Sequence, residues 1–108
     1  MNKFAVIDIG SNSVRLMMIA SGKVLYKTIK TTRLGEGLAF SNTLCENAMA
    51  RTQTALSDFY LRAKEEGAEK IVAFATAAMR SATNGQAFAD RNTAPTSLIP
   101  YSNHQKPG

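Results

Sequence analysis

Apolar positions in this chain fall into blocks whose spacing changes along its length. The run Phe4–Ile7 is nearly all apolar, ends on Asp8, and leads straight into Gly10-Ser11-Asn12-Ser13 before a second apolar run from Val14 to Ala20. That pattern predicts a buried strand, a tight polar turn and a returning strand. Ser21-Gly22 marks the next turn, and Lys23–Thr32 alternates partly, as a third strand with one wet face would. Three short strands joined by tight connections make an antiparallel meander.

The period then changes. Arg33-Leu34-Gly35-Glu36-Gly37-Leu38 carries two glycines two residues apart and reads as a close-bending loop. Thr43-Leu44-Cys45-Glu46 fits a capping box, so a helix is expected to open at Thr43. Met49, Thr52, Leu56, Phe59, Tyr60 and Ala63 recur at helical spacing, and Gly67 suits the position just past the helix end. Ile71–Ala75 is apolar without alternation, which predicts a strand buried on both faces. Reached through a long helix, it should run parallel to the sheet by a right-handed crossover. Thr76 would cap a short helix at the carboxyl end of that strand, with Arg80 projecting from its first turns. Asn84-Gly85 interrupts the pattern before a second short helix at about Gln86–Arg91.

From Asn92 the composition shifts. All three prolines fall in residues 95–108, and no acidic residue follows Asp90. Residues 1–91 therefore read as one domain and 92–108 as an irregular tail, with at most a short extended piece at Ser97–Ile99. His104, the single histidine, lies in this tail without a catalytic partner.

At 108 residues and 44% hydrophobic, the chain suits one small globular domain with a modest core. No apolar run approaches the ~20 residues of a membrane span, and the stretch after Lys3 is too short and too interrupted for a signal peptide. One cysteine, Cys45, excludes an internal disulfide and fits a reducing cytoplasm. Net charge is +5, with Lys23, Lys27, Lys30 and Arg33 close together, which favours an anionic partner: polyphosphate, nucleotide or nucleic acid. A solvated basic face is the plainer alternative.

Candidate chemistry gathers at the first turn. Gly10 permits a sharp turn and leaves the main-chain N–H groups uncovered; Ser11, Asn12 and Ser13 add short donors. Successive N–H groups in such a turn can form a concave anion site. Asp8 would repel a phosphate unless a cation or water lay between them, which points to Mg²⁺ or water positioning. The same residues also favour hairpin turns for backbone reasons alone. Arg80 offers a planar donor fork suited to phosphate, or else a surface ion pair.

Taken together, DIGSNSVRL, RLGEGL and TAAMRSATNG resemble the exopolyphosphatase / guanosine pentaphosphate phosphatase family over roughly Lys3 to Asp90. The order of elements is similar to the first half of the actin, sugar-kinase and chaperone-ATPase fold. The resemblance implies an α/β, ribonuclease H-like half-domain: a three-strand meander, a helix, a parallel fourth strand. It implies Mg²⁺-dependent hydrolysis of phosphoanhydride bonds, releasing terminal phosphate from polyphosphate or the 5′-phosphate from guanosine pentaphosphate. Asp8 would hold the metal or orient water, Gly10, Ser11, Asn12 and Ser13 would form the first phosphate loop, and Arg80 would neutralise phosphoryl charge.

The family continues with a further strand, a glutamate-rich segment supplying the general base, and a second glycine-rich loop. Here no glutamate follows Glu69 and the proline-bearing tail stands instead. The expectation is a truncated N-terminal portion, inactive alone, whose fourth strand lies at an open edge prone to self-association. The alternative is a basic fragment that binds phosphate, polyphosphate or nucleotide without catalysis.

Overall fold

The computed structural model describes residues 2–75 and 82–93. Thr76, Arg80, the Ser97–Ile99 piece and His104 lie outside the described residues.

The meander forms as the pattern predicts. Strand β1 (Lys3–Ile9) pairs antiparallel with β2 (Ser13–Ala20) from Lys3↔Ala20 to Ile9↔Val14, and β2 pairs antiparallel with β3 (Lys23–Thr31). Ser21 and Gly22 both take positive φ (52° and 78°), the left-handed pair that a two-residue hairpin turn requires. Strand β4 (Lys70–Ala75) runs parallel to β1, and the sheet order is β3-β2-β1-β4. Among the described residues β4 is therefore an edge.

Between β3 and β4 come a short helix, α1 (Leu38–Ser41), which the loop reading missed, and the long helix α2 (Glu46–Glu65). Helix α2 buries Ala48, Thr52, Ala55, Leu56, Phe59 and Ala63 against one face of the sheet. Thr52 sits on this apolar stripe because its hydroxyl donates to the Ala48 carbonyl at 2.8 Å. The helix ends as the glycine signal requires. Gly67 has φ +88°, its N–H donates to the Lys64 carbonyl, and the Ala68 N–H reaches back to that of Ala63 at 2.9 Å, a Schellman arrangement.

Its start differs from the capping-box expectation. The helix begins at Glu46, and the N-cap residue is Cys45, without a side-chain cap. The Thr43 hydroxyl donates instead to the Ser41 carbonyl at 3.0 Å. Asn84 secures the entry from outside: its Oδ1 accepts from the Leu44 N–H at 2.9 Å and its Nδ2 donates to the Leu44 carbonyl at 3.0 Å. A local sequence motif lost here to a partner forty residues away.

Helix α3 (Gly85–Thr93) packs beside α2 and buries Phe88 completely. It continues two residues past Arg91, the boundary drawn from composition.

A second correction concerns β4. Ile71, Ala73 and Ala75 are buried, but Val72 and Phe74 are only half-buried, so the strand is covered on one face among the described residues. The basic cluster divides likewise. Lys30 pairs with Asp58 of α2 at 3.2 Å, whereas Lys27 stands opposite Met17 on the uncovered face.

Candidate functional site

The hairpin register places Asp8 directly opposite Arg15, two positions before and after the Gly10–Ser13 turn. Both belong to the alternate set of the strands, facing away from α2, where an ionisable group escapes full desolvation. Asp8 is half-buried, yet its Oδ1 is buried and has no hydrogen-bond partner among the described residues. An orphaned carboxylate oxygen is costly unless something outside the described residues completes it.

The turn beside it is built from its carbonyls. Ser13 O accepts from the Gly10 N–H at 2.9 Å. Asn12 O accepts from the N–H groups of both Thr32 and Arg33, at 3.1 and 2.9 Å. Ser11 O accepts from the Gly35 N–H at 2.8 Å. Three successive carbonyls are thereby held. Because the trans peptide is planar, tying the Ser11 and Asn12 carbonyls toward residues 32–35 turns the Asn12 and Ser13 N–H groups the opposite way. A cavity of about 260 Å³ is lined there by Asp8, Gly10, Ser11, Asn12, Ser13 and Arg15. It offers backbone N–H dipoles, a guanidinium and one carboxylate, a donor set suited to a phosphoryl group with a cation beside it.

The clamp has its own support. Gly35 approaches Ser11 so closely that a Cβ would lie 3.2 Å from that of Ser11. Arg51 reaches from α2 to the Thr32 carbonyl at 2.9 Å and to the carbonyl of Arg33, and pairs with the Glu36 carboxylate. Arg33 itself has φ +51°, a conformation that costs a side-chain-bearing residue about 1–3 kcal/mol.

A further cavity of about 310 Å³ opens on the uncovered face, where Val6, Met17 and Phe74 supply apolar surface and Asp8, Arg15 and Lys27 supply charge. The clearest perturbed titrations lie at the other end of the strands. Burial, and then its 2.6 Å hydrogen bond to Glu66, hold the Tyr26 hydroxyl above its ordinary 10.0; that same bond holds the Glu66 carboxylate below its ordinary 4.5.

The structure thus brings together Asp8, Gly10, Ser11, Asn12 and Ser13, while Arg80 lies outside the described residues. Arg15 was missed, although hairpin symmetry about residues 10–13 pairs position 8 with 15. The close-bending Arg33–Leu38 loop was legible from its glycines, but its grip on the turn through Arg33 and Gly35, and the support from Arg51, are tertiary contacts that no local pattern announces.

Comparison with known proteins bears on this arrangement. The profile of the Ppx/GppA phosphatase family matches residues 16–97. The chain is 37% identical over 89 residues to the guanosine-5′-triphosphate,3′-diphosphate pyrophosphatase of Photobacterium profundum, covering 79% of this chain and 18% of that protein. It is 31% identical over 96 residues to exopolyphosphatase 2 of Mycobacterium tuberculosis, covering 82% of this chain and 30% of that one. Among solved structures, the Aquifex aeolicus member of the Ppx/GppA family superposes with a TM-score of 0.80 at 29% identity, over 95% of this chain and 36% of that one. An exopolyphosphatase from Cytophaga hutchinsonii does so with a TM-score of 0.77 at 25% identity, over 95% and 36% respectively. The chain spans under a third of the length of these two curated relatives.

Proposed function

We propose a function from one premise: the chain belongs to the Ppx/GppA phosphatase family. Its role in that setting is to form the first phosphate-loop wall of a phosphoanhydride hydrolase. The substrate class is a chain of linked phosphates, either polyphosphate, from which the terminal phosphate is released, or guanosine pentaphosphate, which loses its 5′-phosphate.

The observation that carries this reading is the tied set of carbonyls at Ser11, Asn12 and Ser13, beside an unpartnered Asp8 oxygen. With the carbonyls held back, the Asn12 and Ser13 N–H groups are turned away from the clamp and can donate to phosphoryl oxygens without reorganising. Arg15 adds a donor fork and neutralises charge, and Arg80 is expected to do the same. Gly10 keeps the approach open, and the Ser11 and Ser13 hydroxyls supply further donors.

Asp8 is the residue that would hold Mg²⁺. Its orphaned Oδ1 fits that use, and no group of three or more His, Cys, Asp or Glu gathers among the described residues. One carboxylate with substrate oxygens and waters is an ordinary Mg²⁺ environment. When bound, the ion would supply charge neutralisation on the phosphoryl oxygens.

Among the described residues Asp8 is the sole carboxylate lining the loop cavity, and it is committed to this task. These 108 residues accordingly bind and orient substrate without turning it over unaided. A cytoplasmic setting is part of the proposal, supported by one unpaired cysteine and by the absence, among the described residues, of any helix long and apolar enough to cross a membrane. Self-association through the β4 edge is a further expected contact.

The test is a titration of the polypeptide with Mg²⁺ and orthophosphate, followed through its backbone amide resonances. The expected result is saturable shifts at Gly10–Ser13, lost in Asp8→Asn for the Mg²⁺-dependent part, with no phosphate released from polyphosphate. Amides 10–13 that ignore both ligands would defeat the reading.

A further inference from the structure

The clamp loop is more than a support for the phosphate loop. On its own side, Ser11, Asn12, Arg33, Gly35 and Glu36 line a second cavity of about 360 Å³, which shares Ser11 and Asn12 with the first. Arg33 is exposed, and its guanidinium has no hydrogen-bond or ion-pair partner among the described residues. Its natural neutraliser, Glu36, lies three residues on but is taken by Arg51. The backbone of Arg33 is fixed by three hydrogen bonds: its N–H donates to Asn12 O, and its carbonyl accepts from the Glu36 N–H at 3.0 Å and from Arg51; its φ of +51° is one that glycine or asparagine would adopt at lower cost. A strained, uncompensated and anchored arginine at the edge of an anion loop suggests that its side chain is used.

We infer that Arg33 forms a second anion subsite, which takes a further phosphate of a linear polyanion whose end group occupies the Gly10–Ser13 loop. The inference rests on the phosphate-loop reading and adds to it a means of distinguishing a linked phosphate chain from a single phosphate. The shared residues Ser11 and Asn12 make the two cavities neighbours along one loop. The Arg33 donor fork matches phosphoryl oxygens in two-point geometry. Arg51 acts as a positioning residue: by occupying Glu36 and holding the Thr32 and Arg33 carbonyls, it leaves the Arg33 charge free for ligand.

The probes are inorganic tripolyphosphate and orthophosphate, titrated by calorimetry into the 108-residue polypeptide and its variants. Arg33→Asn removes the guanidinium while tolerating the left-handed backbone, and a thermal melt verifies the fold. The expected outcome is an affinity loss of about tenfold for tripolyphosphate, the scale of one charge-assisted contact, with orthophosphate affinity unchanged. Arg33→Lys should restore part of it, since a point charge replaces the fork. Lys27→Ala, which removes an equal charge elsewhere, should leave the preference for tripolyphosphate intact. Equal losses for both probes, no loss for either, or the same loss in Lys27→Ala would overturn the subsite and leave the loop reading standing. A wild-type polypeptide that binds neither probe would overturn the loop reading as well.

Discussion

The same strands present two faces with opposite character. Toward α2 and α3 stand Ala5, Ile7, Ile9, Val14, Leu16, Met18, Ile71, Ala73 and Ala75, none more than 9% exposed. One residue out of phase, the other face carries Phe4, Val6, Asp8, Arg15, Met17, Val72 and Phe74, half-buried or exposed, with Ile29 at 57%. The centre of the first face is apolar, its ionisable groups Lys3, Tyr26 and Lys30 standing at the margins where each bonds to α2 or its C-cap; the second mixes apolar surface with Asp8 and Arg15. Chemistry resides where the helices do not pack, since a charge at the centre of the α2 face would be desolvated without compensation. The period of two keeps these sets apart, and a one-residue slip would bury Asp8 and expose Ile7.

Substitutions at adjacent positions test that separation most strongly. Leu16→Ala, on the packed face, should lower unfolding free energy by about 2–5 kcal/mol, whereas Met17→Ala on the uncovered face should cost under about 1 kcal/mol. Urea denaturation followed by circular dichroism measures both, and equal costs would mean that the two faces are packed alike.

A smaller effect is expected at the tip. Gly35→Ala puts a methyl 3.2 Å from the Ser11 Cβ, so the clamp must give way. A stability loss of about 1 kcal/mol should accompany blunted amide shifts of Gly10–Ser13 on adding phosphate. Retention of those shifts would show that the carbonyls are held without residues 32–35.

Asp8→Asn sharpens the contrast in the other direction. Removing a charge whose Oδ1 has no partner should leave stability within about 0.5 kcal/mol of the parent, or raise it, while abolishing the Mg²⁺-dependent response. Strong destabilisation would recast Asp8 as a structural residue.

The smallest effect belongs to the far end of the strands, where Tyr26 donates to Glu66. Glu66 has a lowered folded pKa, so its contribution is present above the ordinary 4.5 and lost as pH falls through the lowered value. Tyr26 has a raised one, so its contribution is present below the ordinary 10.0 and lost as pH rises through the raised value. Thermal melts across pH should show a shallow decline at each extreme, and Tyr26→Phe should flatten both. Unchanged slopes in that variant would assign the pH dependence to other groups.

Much of this was legible from residue order alone. The apolar runs Phe4–Ile7 and Val14–Ala20 with the polar turn between them, the glycine after α2 and the apolar period of α2 are local signals, and each predicts its element because backbone and side-chain preferences act over a few residues. The turn residues Gly10–Ser13 and the carboxylate before them marked the candidate site for the same reason. Three features of the site and fold were not local. The helix start moved from Thr43 to Glu46 because Asn84, distant in sequence, engages Leu44 on both its N–H and its carbonyl. Strand β4 carries an apolar run without alternation but is covered on one face among the described residues, and a hydrophobic run cannot state how many layers will meet it.

The third concerns how the loop becomes a binding surface. Sequence determined which residues stand at the turn and which face of the strands they share, because those follow from dihedral preference and a period of two. Only tertiary structure decided which way the peptide groups point. The Ser11 and Asn12 carbonyls are turned by N–H groups of Thr32, Arg33 and Gly35, and that segment is itself steadied by Arg51 from the helix beyond it. Peptide orientation in a turn is nearly degenerate locally and is settled by whichever partners the rest of the chain brings within hydrogen-bond reach.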